Sequence, residues 1–335
     1  TGNYLNKNKD IEKPLKISSL LSIFASLCLI NSEDSFSYII GQLFVGSSAG
    51  VYWPTAELSV PLLCKPIKSS RAYALVRSSE ALGIFLGVFI GSILNSLLYF
   101  KANFINDIIC MIIIISLLEK NKDIISRALN KFDISNTKDN LTSDNKWDKN
   151  TKIIIASIIL LTTCLALIQV TLPLDFVKGG ISRLSISQDI TSYVISAQLI
   201  LLFLLQWPIG NWLSSKGRLF GLKFSLINFG ISTSLLFVSS YSLTYGLYIM
   251  LIAIIFCTIG ISSFLPTSSD IVFKIAPLKK KGIALALLSQ CFAIGYFIGP
   301  ILSGSVLDFF GDASLIWLFI SSICFLITIF LINKK

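Results

Sequence analysis

The sequence predicts an all-α protein that crosses a lipid bilayer about ten times, and three observations carry that prediction. Only 14% of its 335 residues are charged and 54% are hydrophobic, against about a quarter charged in soluble chains; the mean hydropathy is +0.78. Apolar runs of about twenty residues, enough for a helix to cross a hydrocarbon core of roughly 30 Å, recur from end to end. The cations are also sorted. With the loops numbered alternately, one side keeps only Lys101, Lys178 and Arg183 of the 28 Lys and Arg, and the cation-rich side of a membrane protein is the cytoplasmic one.

Taken in order, the first run, 17–31, follows Lys16 and is short. The second, 37–57, ends ahead of Lys65. The third, 80–99, is preceded by Arg71 and Arg77, so the longer stretch 71–100 must project beyond the hydrocarbon at one end. The fourth, 103–118, lies between Lys101 and Lys120, and the fifth, 153–174, between Lys152 and Lys178. The sixth, 190–213, stops before Lys216; the seventh, 219–240, follows Arg218. The eighth, 244–265, meets its first cation at Lys274; the ninth, 282–305, follows Lys279 to Lys281; the tenth, 314–333, ends at Lys334. Barrel strands would be about ten residues of strict alternation. These runs are continuously apolar, so each must close its own backbone hydrogen bonds as a helix.

The net charge of +10 therefore reflects topology and anionic lipid rather than a nucleic-acid partner. Both termini are expected in the cytoplasm of a multi-pass plasma (inner) membrane protein. Of the seven cysteines, six lie in apolar runs and Cys64 lies at a cytoplasmic helix end, with no CxxC pair; they read as small hydrophobic side chains. Residues 119–151 are the longest polar stretch. Ile124, Ile125, Ala128, Leu129 and Phe132 recur there at helical spacing, which suggests a surface amphipathic helix in a cytoplasmic linker.

The chain repeats itself. Gly2-Asn3-Tyr4-Leu5 falls on Gly210-Asn211-Trp212-Leu213 at a shift of 208, and Pro54-Thr55 on Pro266-Thr267 at 212. At that second shift Ala72, Ala74, Leu75, Gly83, Phe85 and Gly87 fall on Ala284, Ala286, Leu287, Gly295, Phe297 and Gly299. Matches in one order at a near-constant shift indicate two homologous halves in tandem, with an even number of spans between equivalent points and hence the same orientation. The second half has six expected spans and the first has four. The expected domains are an incomplete N-terminal half over 1–118, the linker, and a six-helix half over 152–335; the missing two helices would precede Thr1.

On these residues the chain resembles the major facilitator superfamily of secondary transporters, displaced to helices three through twelve of a 6+6 arrangement. The family's loop motif G-x-L-a-D-r-x-G-r-r is echoed by Gly210, Ser214, Lys216, Gly217 and Arg218, with Ser214 at the acidic position and Asn6 there in the first copy. In helix four, the place of the family's coupling Arg, four residues before Gly46, is held by Gln42. The antiporter motif of helix five is met by Gly83, Gly87 and Gly91 but has Val88 for its Pro; the second half carries it as Gly295, Gly299 and Pro300. The runs LLQWPIGNWL and FGLKFSL are similar to uncharacterised cyanobacterial permeases.

Several constellations compete for function. Gly46-Ser47-Ser48-Ala49-Gly50 has the spacing of a nucleophile elbow, but the chain has no His to activate Ser48, and no cofactor, metal or enzyme activity is expected. The glycine ladders at four-residue spacing, Gly83/Gly87/Gly91 and Gly295/Gly299, read as smooth helix-packing faces. Intramembrane ionisable groups are functional hints: Glu57 and Asp270 end repeat-related helices, and Arg77 and Glu80 are i,i+3 neighbours. These, with Gly210, Gly217 and Arg218, form the expected gate or coupling set. Family geometry, as the resemblance implies it, puts Gln42, Tyr52, Trp53, Gln169, Gln198, Gln206, Ser262, Ser263, Gln290 and Tyr296 in spans around a central cavity. Amides and aromatics with few charges suit a neutral or amphipathic organic solute. The expectation is thus a monomeric transporter of a small organic solute, working by alternating access in the direction of sugar or drug efflux; a proton is the candidate coupling ion, though Gln42 in place of the coupling Arg weakens proton antiport. The alternative is a non-transporting remnant or an assembly partner of a membrane complex.

Overall fold

The computed structural model describes residues 1–8, 10–64, 66–127, 149–277 and 280–332. They form helices α1 Gly2–Asn8, α2 Glu12–Ile30, α3 Ser35–Leu63, α4 Ser69–Ser96, α5 Ala102–Lys120, α6 Lys149–Lys178, α7 Gln188–Leu213, α8 Arg218–Ser240, α9 Gly246–Ile275, α10 Lys281–Phe310 and α11 Ser314–Ile332. No strand occurs among the described residues. The starts of α3 and α7 are capped by side chains. Asp34 caps α3, accepting from Ser37 N at 2.8 Å while Ser37 Oγ accepts from Asp34 N, a reciprocal pair that satisfies two orphan donors. Ser187 caps α7. Gly217 precedes α8 with φ of 93°, a left-handed conformation that glycine adopts without steric cost.

Among the described residues nine helices, all but α1 and α3, are long and apolar enough to cross a membrane. Ten were expected from the apolar runs. The difference is α3, whose 29 residues span about 43 Å but include glycines, serines, two prolines and Glu57. Length alone would carry it across; apolarity alone would not. Most helices exceed their expected apolar runs; α4 begins at Ser69, near the start of the 71–100 stretch, and α9 continues through Pro266 to Ile275. Residues 122–127 are helical, with Ile125 buried and Ile124 exposed, while Ala128, Leu129 and Phe132 lie outside the described residues.

The chain forms two compact units. The first gathers Thr1–Ser69, Gly87–Asp148 and Val272–Gln290; the second gathers Ser70–Leu86, Lys149–Ile271 and Cys291–Lys335. In the first, α2 packs on α3 and α5. Gly41 admits Leu29, whose Cδ2 would be 2.6 Å from a Cβ built on the glycine, and Ser48 Oγ donates to Ser18 O at 2.8 Å. In the second, α8 packs on α11. Phe325 lies against Gly230, and the hydroxyls of Ser234 and Ser321 meet at 2.7 Å. Burial of apolar surface cannot drive such contacts in lipid, so small residues and interhelical hydrogen bonds take its place.

The repeat is visible in where its glycines pack. Gly2 lies in the first unit against Ile283 and Ala286, with 3.1 Å from a Cβ built on it to Ala286 Cβ. Gly210 lies in the second unit against Ala74, so close that a Cβ there would collide with that of the alanine. Ala74 and Ala286 are themselves repeat mates. Each glycine of the pair Gly2/Gly210 therefore packs on the alanine from the opposite half of the sequence.

Candidate functional site

The candidate solute-facing residues fall in both units. In the first, Tyr52 and Trp53 of α3 are 36% and 37% exposed and their rings meet edge to face at 5.4 Å, while Gln42 and Gln290 are exposed. In the second, the geometry is built by α6 and α10. A Cβ built on Gly295 would lie 3.0 Å from Ala166 Cβ, and one on Gly299 3.7 Å from the Ala166 backbone. This close approach, in the helix that carries Pro300, brings Tyr296 Oη onto Gln169 Oε1, to which it donates. Both residues remain exposed. Gln198 is half-buried, with Nε2 4.0 Å from Cys257 Sγ. Ser262, Ser263 and Gln206 are 0% exposed and so are placed in helix packing rather than on an open surface. Gln206 Nε2 donates to Ser262 O at 3.0 Å.

The ionisable residues are likewise divided. Arg77 Nη1 donates to Glu80 Oε2 at 2.6 Å, with side chains 8% and 25% exposed, and Nη2 lies 3.4 Å from Ser269 Oγ. Asp270 follows Ser269 in the same unit and is buried; Glu57 is buried in the first unit. The structure thus brings together Arg77, Glu80 and the Ser269 hydroxyl. Of the loop motif, Gly210 gives close packing and Gly217 the helix start, and the side chain of Arg218 lies outside the described residues. The glycines of α4 differ from those of α10: a Cβ at Gly83 or Gly87 would meet nothing within 4 Å, and at Gly91 only Asn103, at 3.4 Å.

Three polar sites escaped the sequence analysis. The first is Asn211, inside the repeated Gly-Asn-aromatic-Leu run, whose Oδ1 accepts from Arg71 Nε at 2.6 Å. The asparagine next to the motif glycine, not Ser214 at the motif's acidic position, holds the arginine. The second is Asp107 of α5, whose Oδ2 accepts from Ser26 Oγ at 2.6 Å and Ser22 Oγ at 3.1 Å. The third is a buried pair at the cation-poor end. Arg183 Nη2 lies 3.0 Å from Asp175 Oδ1, both side chains 0% exposed. Arg183 Nη1 also donates to Ser239 Oγ at 2.7 Å and Nη2 to Asp175 O at 2.9 Å, and Trp317 Nε1 donates to Asp175 Oδ2 at 3.1 Å. Ser182 N donates to Ser240 O at 2.8 Å, so the connection between α6 and α7 is fastened to the end of α8. The available signal was Arg183 itself, one of three cations on the side expected to be cation-poor.

Comparison with known proteins gives the following. The family model described as Major Facilitator Superfamily matches residues 154–334. No curated protein matches the sequence. Among solved structures, the human organic anion transporter MFSD10 (TETRAN) superposes with a TM-score of 0.73 at 14% identity, covering 98% of this chain and 79% of its own. The proton:xylose symporter XylE, bound to 6-bromo-6-deoxy-D-glucose, gives 0.75 at 13% identity, covering 99% and 82%. The E. coli fucose:proton symporter FucP gives 0.67 at 14%, covering 100% and 86%.

Proposed function

This chain belongs to the Major Facilitator Superfamily, and from that premise we propose that it moves a small, neutral, hydroxylated organic solute across the plasma membrane by alternating access. The observation that carries the solute class is the exposed Tyr296–Gln169 pair. An amide and a phenol at the surface of adjoining spans offer donors and acceptors without net charge, which suits hydroxyl groups and gives an inorganic ion nothing to neutralise it. Tyr52 and Trp53 add aromatic faces of the kind that lie against sugar rings and other amphipathic bodies. Two of the similar folds are sugar symporters by name, and one is an organic anion transporter; the scarcity of cations among the exposed candidates favours the former chemistry.

The proposal includes a monomer with both chain ends on the cytoplasmic side, outward movement of the solute and a proton as the coupling ion. Its test is flux in everted membrane vesicles, with a panel of labelled hexoses, pentoses and organic anions. Uptake of a neutral sugar into everted vesicles, abolished by a protonophore, is the expected result. Gln169→Ala should reduce it about tenfold, the effect of losing roughly 1.4 kcal/mol of binding. Flux of organic anions alone would overturn the solute class; sugar flux indifferent to the protonophore would overturn the coupling.

A further inference from the structure

Pro266 interrupts the hydrogen-bond ladder of α9. Proline has no N–H, so the carbonyl four residues earlier, that of Ser262, loses its helical donor. In a spanning helix a freed backbone group must be satisfied from elsewhere in the protein. Here Gln206 Nε2, from α7, donates to Ser262 O at 3.0 Å, and both residues are 0% exposed. Only the NH2 end of the amide can donate to a carbonyl, so the orientation of the amide follows from its chemistry. One turn further along α7, Gly210 allows Pro266 close, with its Cγ 3.8 Å from a Cβ built on the glycine. On the next helix, Gly221 admits Thr267, whose Oγ1 would be 2.8 Å from such a Cβ.

The other half of the sequence has the same device. Pro54 of α3 is the repeat mate of Pro266 and frees the carbonyl of Gly50. Thr1 Oγ1 donates to Gly50 O at 3.3 Å. Thr1 adjoins Gly2, the repeat mate of Gly210, so it stands within one helical turn of the place that Gln206 holds in the second half. Two prolines at equivalent points thus have their freed carbonyls met by side chains from equivalent segments.

We propose that Gln206 is a positioning residue whose amide replaces the backbone N–H that Pro266 lacks, latching a hinge in α9 that opens and closes during the transport cycle. The role in the cycle rests on the transporter reading above; the latch does not. A side-chain bond of this kind can release and re-form without unwinding the helix. The amide is held at one end only, since Gln206 Oε1 and Ser262 Oγ meet no hydrogen-bond partner among the described residues.

The latch predicts a specific dependence between two positions. In the detergent-solubilised full chain, Gln206→Met keeps the volume and removes the donor, and should lower the melting temperature by about 2 °C or more. In a Pro266→Ala background the helix supplies its own donor to Ser262 O, and the same substitution should then shift melting by less than half as much. An equal loss in both backgrounds overturns the latch. If Gln206→Met alone fails to accumulate, its recovery by Pro266→Ala is the expected result and continued failure overturns it. For the hinge, Gln206→Met should lower the maximal flux about fivefold in vesicles with KM unchanged, an effect that loss of folded protein, corrected by immunoblot, cannot mimic. A coupled melting result with unchanged flux overturns the gating role. Absence of flux in the unsubstituted chain would instead refute the transport reading and leave the melting cycle to decide the latch.

Discussion

Arg183 and Asp175 show what a single misplaced charge can mean. A buried ion pair is held by its own partners and hydrogen bonds, and removing one member strands the other. Arg183→Met should therefore destabilise the chain by about 3–5 kcal/mol, read as loss of folded protein on heating in detergent. Replacing both, Asp175→Leu with Arg183→Met, should recover most of that loss. Asp34 behaves differently because it is exposed. The hydrogen bonds from Ser37, side chain first and backbone second, hold its carboxyl below the usual value. The contribution of this cap is present above the unfolded carboxylate pKa and is lost as the pH falls through the lower folded one. Asp34→Ala should thus alter melting at neutral pH and lose its effect in acid below the ordinary aspartate range. At this scale the sequence revealed residue types but not partners. Arg183 read as a topological exception because nothing local shows that Asp175 and Ser239 converge on it, with Trp317 donating to that aspartate.

Among elements, the two glycine ladders were both read from sequence as packing faces and differ in the structure. Gly295 faces Ala166 and Thr163 within about 3 Å of any added carbon, whereas Gly83 faces open space. Gly295→Leu should force α6 and α10 apart at a cost of about 1–3 kcal/mol and lower flux with it, since Tyr296 is held onto Gln169 by that approach. Gly83→Leu should leave melting close to the unsubstituted chain. Paired melting curves check both. Helix positions were legible because a run of about twenty apolar residues has few alternatives in lipid. The projection of α4 was legible in the 71–100 stretch; the end of α9 was not, because a spanning helix can continue past the hydrocarbon with polar residues and a proline that lower its hydropathy. The same applies to α3, where glycines, serines, two prolines and Glu57 interrupt the apolar residues along 29 helical residues.

For the whole molecule, the charge bias predicts an orientation that can be read directly. Cys64 should be cytoplasmic and a cysteine introduced by Ser35→Cys external, each in a background lacking the other cysteines. An impermeant maleimide applied to whole cells should label only the latter, and labelling of Cys64 alone would invert the topology. Burial pushes the Cys64 thiol above its usual pKa, so in permeabilised cells its labelling should be slow at neutral pH and quicken as the pH rises. The repeat was read from the Gly-Asn-aromatic-Leu and Pro-Thr runs, because glycines and prolines leave sparse, ordered marks on an otherwise interchangeable apolar background. Which alanine each glycine meets was not legible, since the contacts run from one half of the sequence to the other.

That exchange has a consequence for folding. Each compact unit contains a segment from the far side of residues 119–151: Val272–Gln290 in one and Ser70–Leu86 in the other. A break within 119–151 would produce two polypeptides, neither of which holds all the parts of either unit. Expressed singly, each should be degraded in the membrane; expressed together from separate genes, they should rescue one another and co-purify through a tag on only one. Stable accumulation of either piece by itself would mean that the halves mature independently and that the exchange is a late, dispensable step of assembly.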